Sequence, residues 1–101
     1  MARVVFTLPS KEDLEKIVRY TRDTWGSGQA VEYVSGLRKQ ANLLAQTPEV
    51  GKSRDDLEGG LICFPYVSHV VYYTKITDGI AIIRVLHKHQ DPTIQNLTLI
   101  P

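Results

Sequence analysis

The residue types most able to do chemistry gather near the C-terminal end of the chain, at Arg84, His87, Lys88 and His89. Histidine changes charge near neutral pH, so His87 could serve as a general base. Cations such as Arg84 and Lys88 could hold a phosphate and offset charge building up on it. Strand geometry restrains that idea. Alternation puts Arg84 and Lys88 on one face and His87 on the other, so convergence needs a bulge or a strand end to re-aim one of them. The plainer alternative pairs Arg84 with a carboxylate and leaves His87 hydrogen-bonded at a sheet edge. His87 and His89 share a face and resemble a metal pair, but a structural zinc site takes about four ligands and the sequence supplies no suitable others. Cys63, the single cysteine, sits in an apolar run and reads as a small buried hydrophobe. No Gly-rich phosphate cradle, Ser-His-Asp order or paired carboxylate site occurs. These residues are therefore read as a surface for binding a target, with no catalytic residue, metal or cofactor assigned.

The elements that position them follow from period and punctuation. Arg3 to Leu8 is a β-branched apolar run ending at Pro9, which predicts a strand. Ser10-Lys11-Glu12-Asp13 looks like a capping box opening a helix, with Asp13 reaching back to the cap. Leu14, Ile17, Val18, Thr21 and Trp25 then recur at helical spacing, and Gly26 suits the closing position. A second helix carries Ala30, Tyr33, Val34, Leu37, Ala41, Leu44 and Ala45 on one stripe and stops at Thr47-Pro48. Trp25 and Tyr33 are expected in the core where the two helices meet. Residues 48–59 are polar and turn-rich, and are read as a connection.

From Gly60 the period shortens, and Leu61 to Tyr66, His69 to Ile76 and Ile80 to Lys88 read as strands. Val67-Ser68 and Thr77-Asp78-Gly79 are the hairpin turns; Asp-Gly tolerates the positive φ such turns need. Tyr72 and Tyr73 point to opposite faces, and the outward one, taken as Tyr73, is a candidate partner contact. The order β-α-α-β-β-β predicts an α+β fold: a helical hairpin packed on a four-stranded, mainly antiparallel sheet whose other side is left to dock a macromolecule.

Composition bounds the function classes. A chain of 101 residues with 43% hydrophobic and 23% charged content predicts one domain over 1–101, with 93–101 as a possible flexible tail. No run approaches the roughly 20 apolar residues of a membrane span, and the N-terminus lacks a signal-peptide layout. With a lone cysteine as well, the expected compartment is the cytoplasm. The net charge of +1 argues against whole-molecule attraction to nucleic acid, and no sequence-specific DNA binding is expected. The C-terminal half sets Lys75, Arg84 and Lys88 against Asp78 and Asp91 and holds all three histidines, so an anion-facing surface would lie there.

Three blocks in order carry a family resemblance. They are "DLEKIVRYTRDTWG", then "QAVEYVSGLRKQANLLAQTPEVGKSRDDL", then "GGLICFPYVSHVVYYTKITDGIAIIRVLHKHQDP" with His-x-x-x-Tyr and Arg-Val-Leu-His. From about Pro9 to Pro92 the chain resembles the ParE branch of the RelE/ParE superfamily of toxins from toxin–antitoxin pairs. The resemblance implies the fold already predicted, and a toxin that engages DNA gyrase by binding and is neutralised by a ParD-type antitoxin in a heterotetramer or larger assembly. An antitoxin of this kind folds on binding and lays a helix in an apolar groove; Val31 and Leu43, off the inward stripe, are candidate contacts together with Tyr73. Two positions depart from the family pattern. Gly60-Leu61-Ile62-Cys63-Phe64 has Ile62 where the family commonly carries Arg, and Lys88-His89-Gln90-Asp91 replaces the usual short segment ending Met-Asp. Two other readings stay open: a ribosome-dependent messenger-RNA nuclease of RelE type, using His87 on a 2′-hydroxyl, and a non-toxic relative that only binds antitoxin.

Overall fold

Helical periodicity before Gly60 and strand periodicity after it sort the chain into two layers. In a computed structural model of the protein, which describes residues 2–94, a helical hairpin covers one face of a five-stranded sheet. Strand β1 (Arg3–Phe6) leads into helices α1 (Leu8–Trp25) and α2 (Ser27–Gln46). After a 3-10 turn at Pro48–Val50 come β2 (Lys52–Ser53), β3 (Ile62–Tyr66), β4 (His69–Ile76) and β5 (Gly79–His87), then a second 3-10 turn at Pro92–Ile94. The sheet order is β1-β5-β4-β3-β2; β1 runs parallel to β5 and the other pairs are antiparallel. The predicted α+β architecture holds. The strand count rises from four to five because Lys52–Ser53, in the segment read as a connection, pairs with Ile62 and Cys63 along the edge of β3. Beyond Ile94 the predicted tail lies outside the described residues.

The passage from β1 to α1 comes three residues earlier than the capping pattern at Ser10 predicts. Thr7 is the N-cap, its hydroxyl accepting from the Ser10 amide at 3.3 Å. Pro9 does not end a strand; it lies in the first helical turn, where a missing N–H costs nothing. Thr7 also keeps the chain on the sheet as it turns. Its amide donates to the Ile82 carbonyl at 3.1 Å, and its hydroxyl lies 3.0 Å from the Ile82 and Ile83 carbonyls.

Asp13 does not reach back to the cap. β1 ends at Phe6, opposite Ile82, so β5 loses its strand neighbour there. The Asp13 carboxylate supplies the missing acceptor: Oδ2 takes the Val85 amide at 3.0 Å. The same carboxylate receives Arg84 at 2.7 Å from Nε and 2.9 Å from Nη2, with side chains only 14% (Arg84) and 8% (Asp13) exposed. A register shift in the β4–β5 ladder, where Tyr72 faces Arg84 but Tyr73 faces Ile82, leaves Ile83 as the extra residue. Arg84 thus sits on a bulge, and simple alternation does not describe where its side chain goes.

The helices are joined by Gly26 alone, whose φ of 98° favours glycine, and α2 runs back along α1. Their facing sides and the sheet enclose a core of Leu14, Ile17, Leu37, Leu44, Ile62, Val71, Tyr73, Ile80, Ile82 and Val85 among others. Trp25 is not in it. As the last residue of α1 it stands at the tip of the hairpin, 70% exposed. Tyr33 is half-buried at the edge of the core, with its hydroxyl turned to polar partners. The other side of the sheet is not left open either: Leu61, Tyr72, Ile83 and Leu86 form a second buried cluster, with Leu57, Cys63 and Val70 packed against it. In the hairpins, Asp78 takes the positive φ predicted for it at 62°, and Val67 does so at 50°.

Replacing Asp13 by Ala would orphan the Val85 amide and leave a largely buried guanidinium without its carboxylate. The expected cost is about 3 kcal/mol of unfolding free energy in urea titration. Adding Arg84→Met should cost less than the sum of the two single changes, because both act on one interaction.

Candidate functional site

Two places in the fold combine exposed chemistry with a built geometry. One is the sheet end where β4 begins and β5 stops. Tyr33 reaches there from the middle of α2, and its Oη lies 2.7 Å from His69 Nδ1. The Ser68 amide donates to the same oxygen at 3.3 Å, and the Tyr66 carbonyl lies 3.3 Å from it. Tyr66 in turn donates to the Tyr33 carbonyl and packs edge-on against the Tyr33 ring, at 5.2 Å between centroids. Gly36 makes this fit possible, because a Cβ there would run into the Tyr66 hydroxyl. His69 pairs across the ladder with His87. Burial, and secondarily the nearby His87, push the His69 pKa below the ordinary imidazole value, which disfavours its charged form. Burial likewise raises the Tyr33 phenol.

The residues predicted as a binding surface are divided by this arrangement. Arg84 is engaged by Asp13, whose hydrogen bond holds the guanidinium pKa above its usual value. His87 closes β5, and Lys88 and His89 follow it, both exposed. His87 therefore stays near the exposed pair while Arg84 is tied down beside α1. Among the described residues, no group of three His, Cys, Asp or Glu side chains is placed to hold a metal ion. The two departures from the family pattern also find places. Ile62 is buried in the main core, so its apolar side chain contributes packing. Gln90 closes a turn after β5: its Oε1 accepts the His87 amide at 2.7 Å, and its own amide donates to the His87 carbonyl at 2.9 Å.

The second place is the outer seam of the helical hairpin. Two adjoining grooves of about 480 and 440 Å³ share Val18, Val34 and Arg38. Their floor is Leu14, Val18, Ala30, Val31 and Val34, and their rim carries Lys11, Arg19, Arg22 and Arg38 against the single carboxylate Glu15. Arg38 is steadied with its guanidinium 5.5 Å from the Phe6 ring centroid. From Lys11 to Arg22 the α1 wall is roughly 17 Å long at 1.5 Å per residue, the length of a three-turn helix. Trp25 continues this wall, three positions beyond Arg22 and seven beyond Val18.

Of the predicted partner contacts, Val31 lies in the groove and is 69% exposed. Leu43 is 58% exposed but is not among the groove's lining residues. Tyr73 has no surface to offer: it is 0% exposed, and its hydroxyl donates to the Pro48 carbonyl at 2.9 Å. The expectation of one outward tyrosine fails because both faces of the sheet are covered, and Tyr72 is buried on the second. The sequence reading missed the cationic rim and the role of His69 and Tyr33. The rim was legible in part, since Lys11, Glu15 and Arg22 recur at helical spacing on the side of α1 away from its buried stripe.

Similarity to known proteins is consistent along the whole domain. A sequence model described as the ParE toxin of type II toxin–antitoxin systems, parDE, matches residues 4–92. Toxin ParE1 of Caulobacter vibrioides is 34% identical over 79 residues, covering 78% of this chain and 81% of that protein. Toxin ParE1 of Mycobacterium tuberculosis is 30% identical over 91 residues, covering 89% and 93%. A solved structure described as the chromosomal ParDE toxin–antitoxin system from P. aeruginosa shares the fold, with a TM-score of 0.73 at 19% identity over 86% of this chain and 96% of that one. With the family sequence matched from β1 through β5, and the helical hairpin and sheet superposing on a ParDE structure, this chain belongs to the ParE toxin family of type II toxin–antitoxin systems.

Proposed function

We propose that the protein is the toxin of a cytoplasmic pair, that it acts by binding DNA gyrase so that cleaved DNA is not resealed, and that a ParD-type antitoxin neutralises it in a heterotetramer or larger assembly. The match to the ParE sequence model over residues 4–92 carries this reading. Binding, with no catalytic residue, suits a sheet end whose two inner imidazoles are committed to internal contacts: His69 Nδ1 to Tyr33, and His87 Nδ1 to the His89 amide at 3.2 Å. The target surface is the run His87 to Asp91, exposed from Lys88 onward, with Lys88 and His89 as contacts and Arg84 holding the strand beneath them.

The hairpin groove is the proposed antitoxin site. An amphipathic helix lays its apolar side on Val18, Val31 and Val34 and sets carboxylates against the cationic rim. Such charges raise the association rate and select the partner more than they add raw affinity. Val31 takes part directly; Leu43, outside the groove, would meet a flanking part of the antitoxin.

Inducing the protein alone in a bacterial host should arrest growth, and the purified protein should make gyrase accumulate cleaved plasmid. Message cleavage on translating ribosomes with supercoiling intact would replace this reading by the nuclease one. Unimpaired growth with tight antitoxin binding would leave a non-toxic relative. Lys88→Ala with His89→Ala should lower toxicity about tenfold while antitoxin affinity is unchanged, as read by growth and by calorimetry. Arg22→Glu with Arg38→Glu should do the reverse, weakening antitoxin binding about tenfold or more and reducing its dependence on salt.

A further inference from the structure

Three imidazoles stand in a row at the end of the sheet. His69 and His87 are partners in the β4–β5 ladder with ring centroids 5.5 Å apart, and the His89 ring follows 5.1 Å from His87. The row is tied at its inner end to α2 through Tyr33 and at its outer end to the backbone after β5. There the His89 amide donates to His87 Nδ1 at 3.2 Å, and Gln90 bonds the His87 backbone in both directions. We propose that this row is an acid-sensitive latch, which holds the turn from His87 to Gln90 on the sheet while His87 is neutral and releases it when His87 takes a proton.

The direction follows from the ring chemistry. To accept from the His89 amide, Nδ1 of His87 must present its lone pair, so the neutral ring carries its hydrogen on Nε2. A further proton can go only to Nδ1. That converts the acceptor into a donor aimed at another donor, and the bond is lost rather than weakened. Among the described residues, the charged and titratable groups facing the row are engaged elsewhere or do not offset the new charge. From α1, Asp13 acts on His69, but its carboxylate is occupied by Arg84 and the Val85 amide. From α2 and β3 come Tyr33 and Tyr66, phenols that carry no charge in acid. From the chain after β5 come Lys88, which repels, and Asp91, which is tied to the Thr93 amide and hydroxyl at 2.9 and 2.7 Å. The His87 and His89 rings, 5.1 Å apart, repel one another when both carry charge, and opening the turn relieves that repulsion. His69, whose charged form burial disfavours, is the inner end of the row. The turn released belongs to the proposed target surface, so any effect on toxicity rests on that reading; the latch itself does not.

Amide hydrogen exchange of the full chain tests this, followed by NMR at pH 7.5 and pH 5.5 and corrected for intrinsic rates. The His89 and Gln90 amides should lose protection about tenfold or more in acid, while the Leu37 and Val71 amides keep theirs. In His87→Asn, a side-chain acceptor that does not titrate, the protection of His89 and Gln90 should be the same at both pH values. Should that variant fail to fold, His87→Gln serves instead and carries the same expectation, because its side-chain acceptor does not titrate either. Protection at His89 and Gln90 that ignores pH in the natural chain, an equal acid loss in His87→Asn or His87→Gln, or loss throughout the core would each overturn the proposal.

Discussion

The structure depends on how the sheet is finished where β1 stops. β5, the longest of the described strands, lies between β4 and the N-terminal strand β1, yet β1 covers it only from Gly79 to Ile82. Past that point an unpaired backbone amide would be left under the helices, at a cost comparable to a lost hydrogen bond. One helix N-terminus solves the problem. Thr7 caps α1 while bonded to the Ile82 carbonyl, and Asp13, nearly two turns on, accepts the Val85 amide and draws in Arg84. A helix here takes the place of a strand, with a carboxylate acting as the missing carbonyl. This fixes α1 against β5 and, through the single-residue link at Gly26, sets where α2 can lie.

With the helices placed, the two candidate surfaces follow. α2 is held so that Tyr33 projects to the sheet end and meets His69, and the Tyr33–Tyr66 contact needs the bare backbone of Gly36. The outer seam between α1 and α2 is left with an apolar floor that the core does not fully bury. Leu14 serves both sides, since it belongs to the core and lines the groove, while Val18 and Val34 line the groove where its two halves join. A partner helix seated there would complete a three-layered packing of sheet, hairpin and added helix. Its basic rim belongs to a chain whose net charge is only +1, so the relevant electrostatics are local.

The sheet end works by a different principle. Its imidazoles stand in a row, with His69 Nδ1 beside the Tyr33 hydroxyl and His87 Nδ1 accepting the His89 amide, an arrangement that positions the segment after β5. The two departures from the family pattern fit the same division of labour. Ile62 adds apolar volume to the core, whereas Gln90 locks the turn that displays Lys88 and His89.

Periodicity and punctuation alone determined the element order apart from the short strand β2, together with the helical hairpin, the mainly antiparallel sheet and the positive φ at Asp78, because each depends on neighbours a few residues apart. The run of motifs was enough to point to the ParE family. What the sequence could not decide were interactions between residues some seventy positions apart. Asp13 in the first turns of a helix looks like a capping residue until the end of β1 exposes the Val85 amide to it. Arg84 looks like a surface cation until the bulge at Ile83 and that same carboxylate take it. Tyr73 and Trp25 exchanged places for a similar reason: burial is set by where an element ends and by what lies over it, and the period of an element does not contain that information. Only the assembled fold decides which polar groups lack a partner, and here those groups determined which charges stayed inside and which stayed exposed.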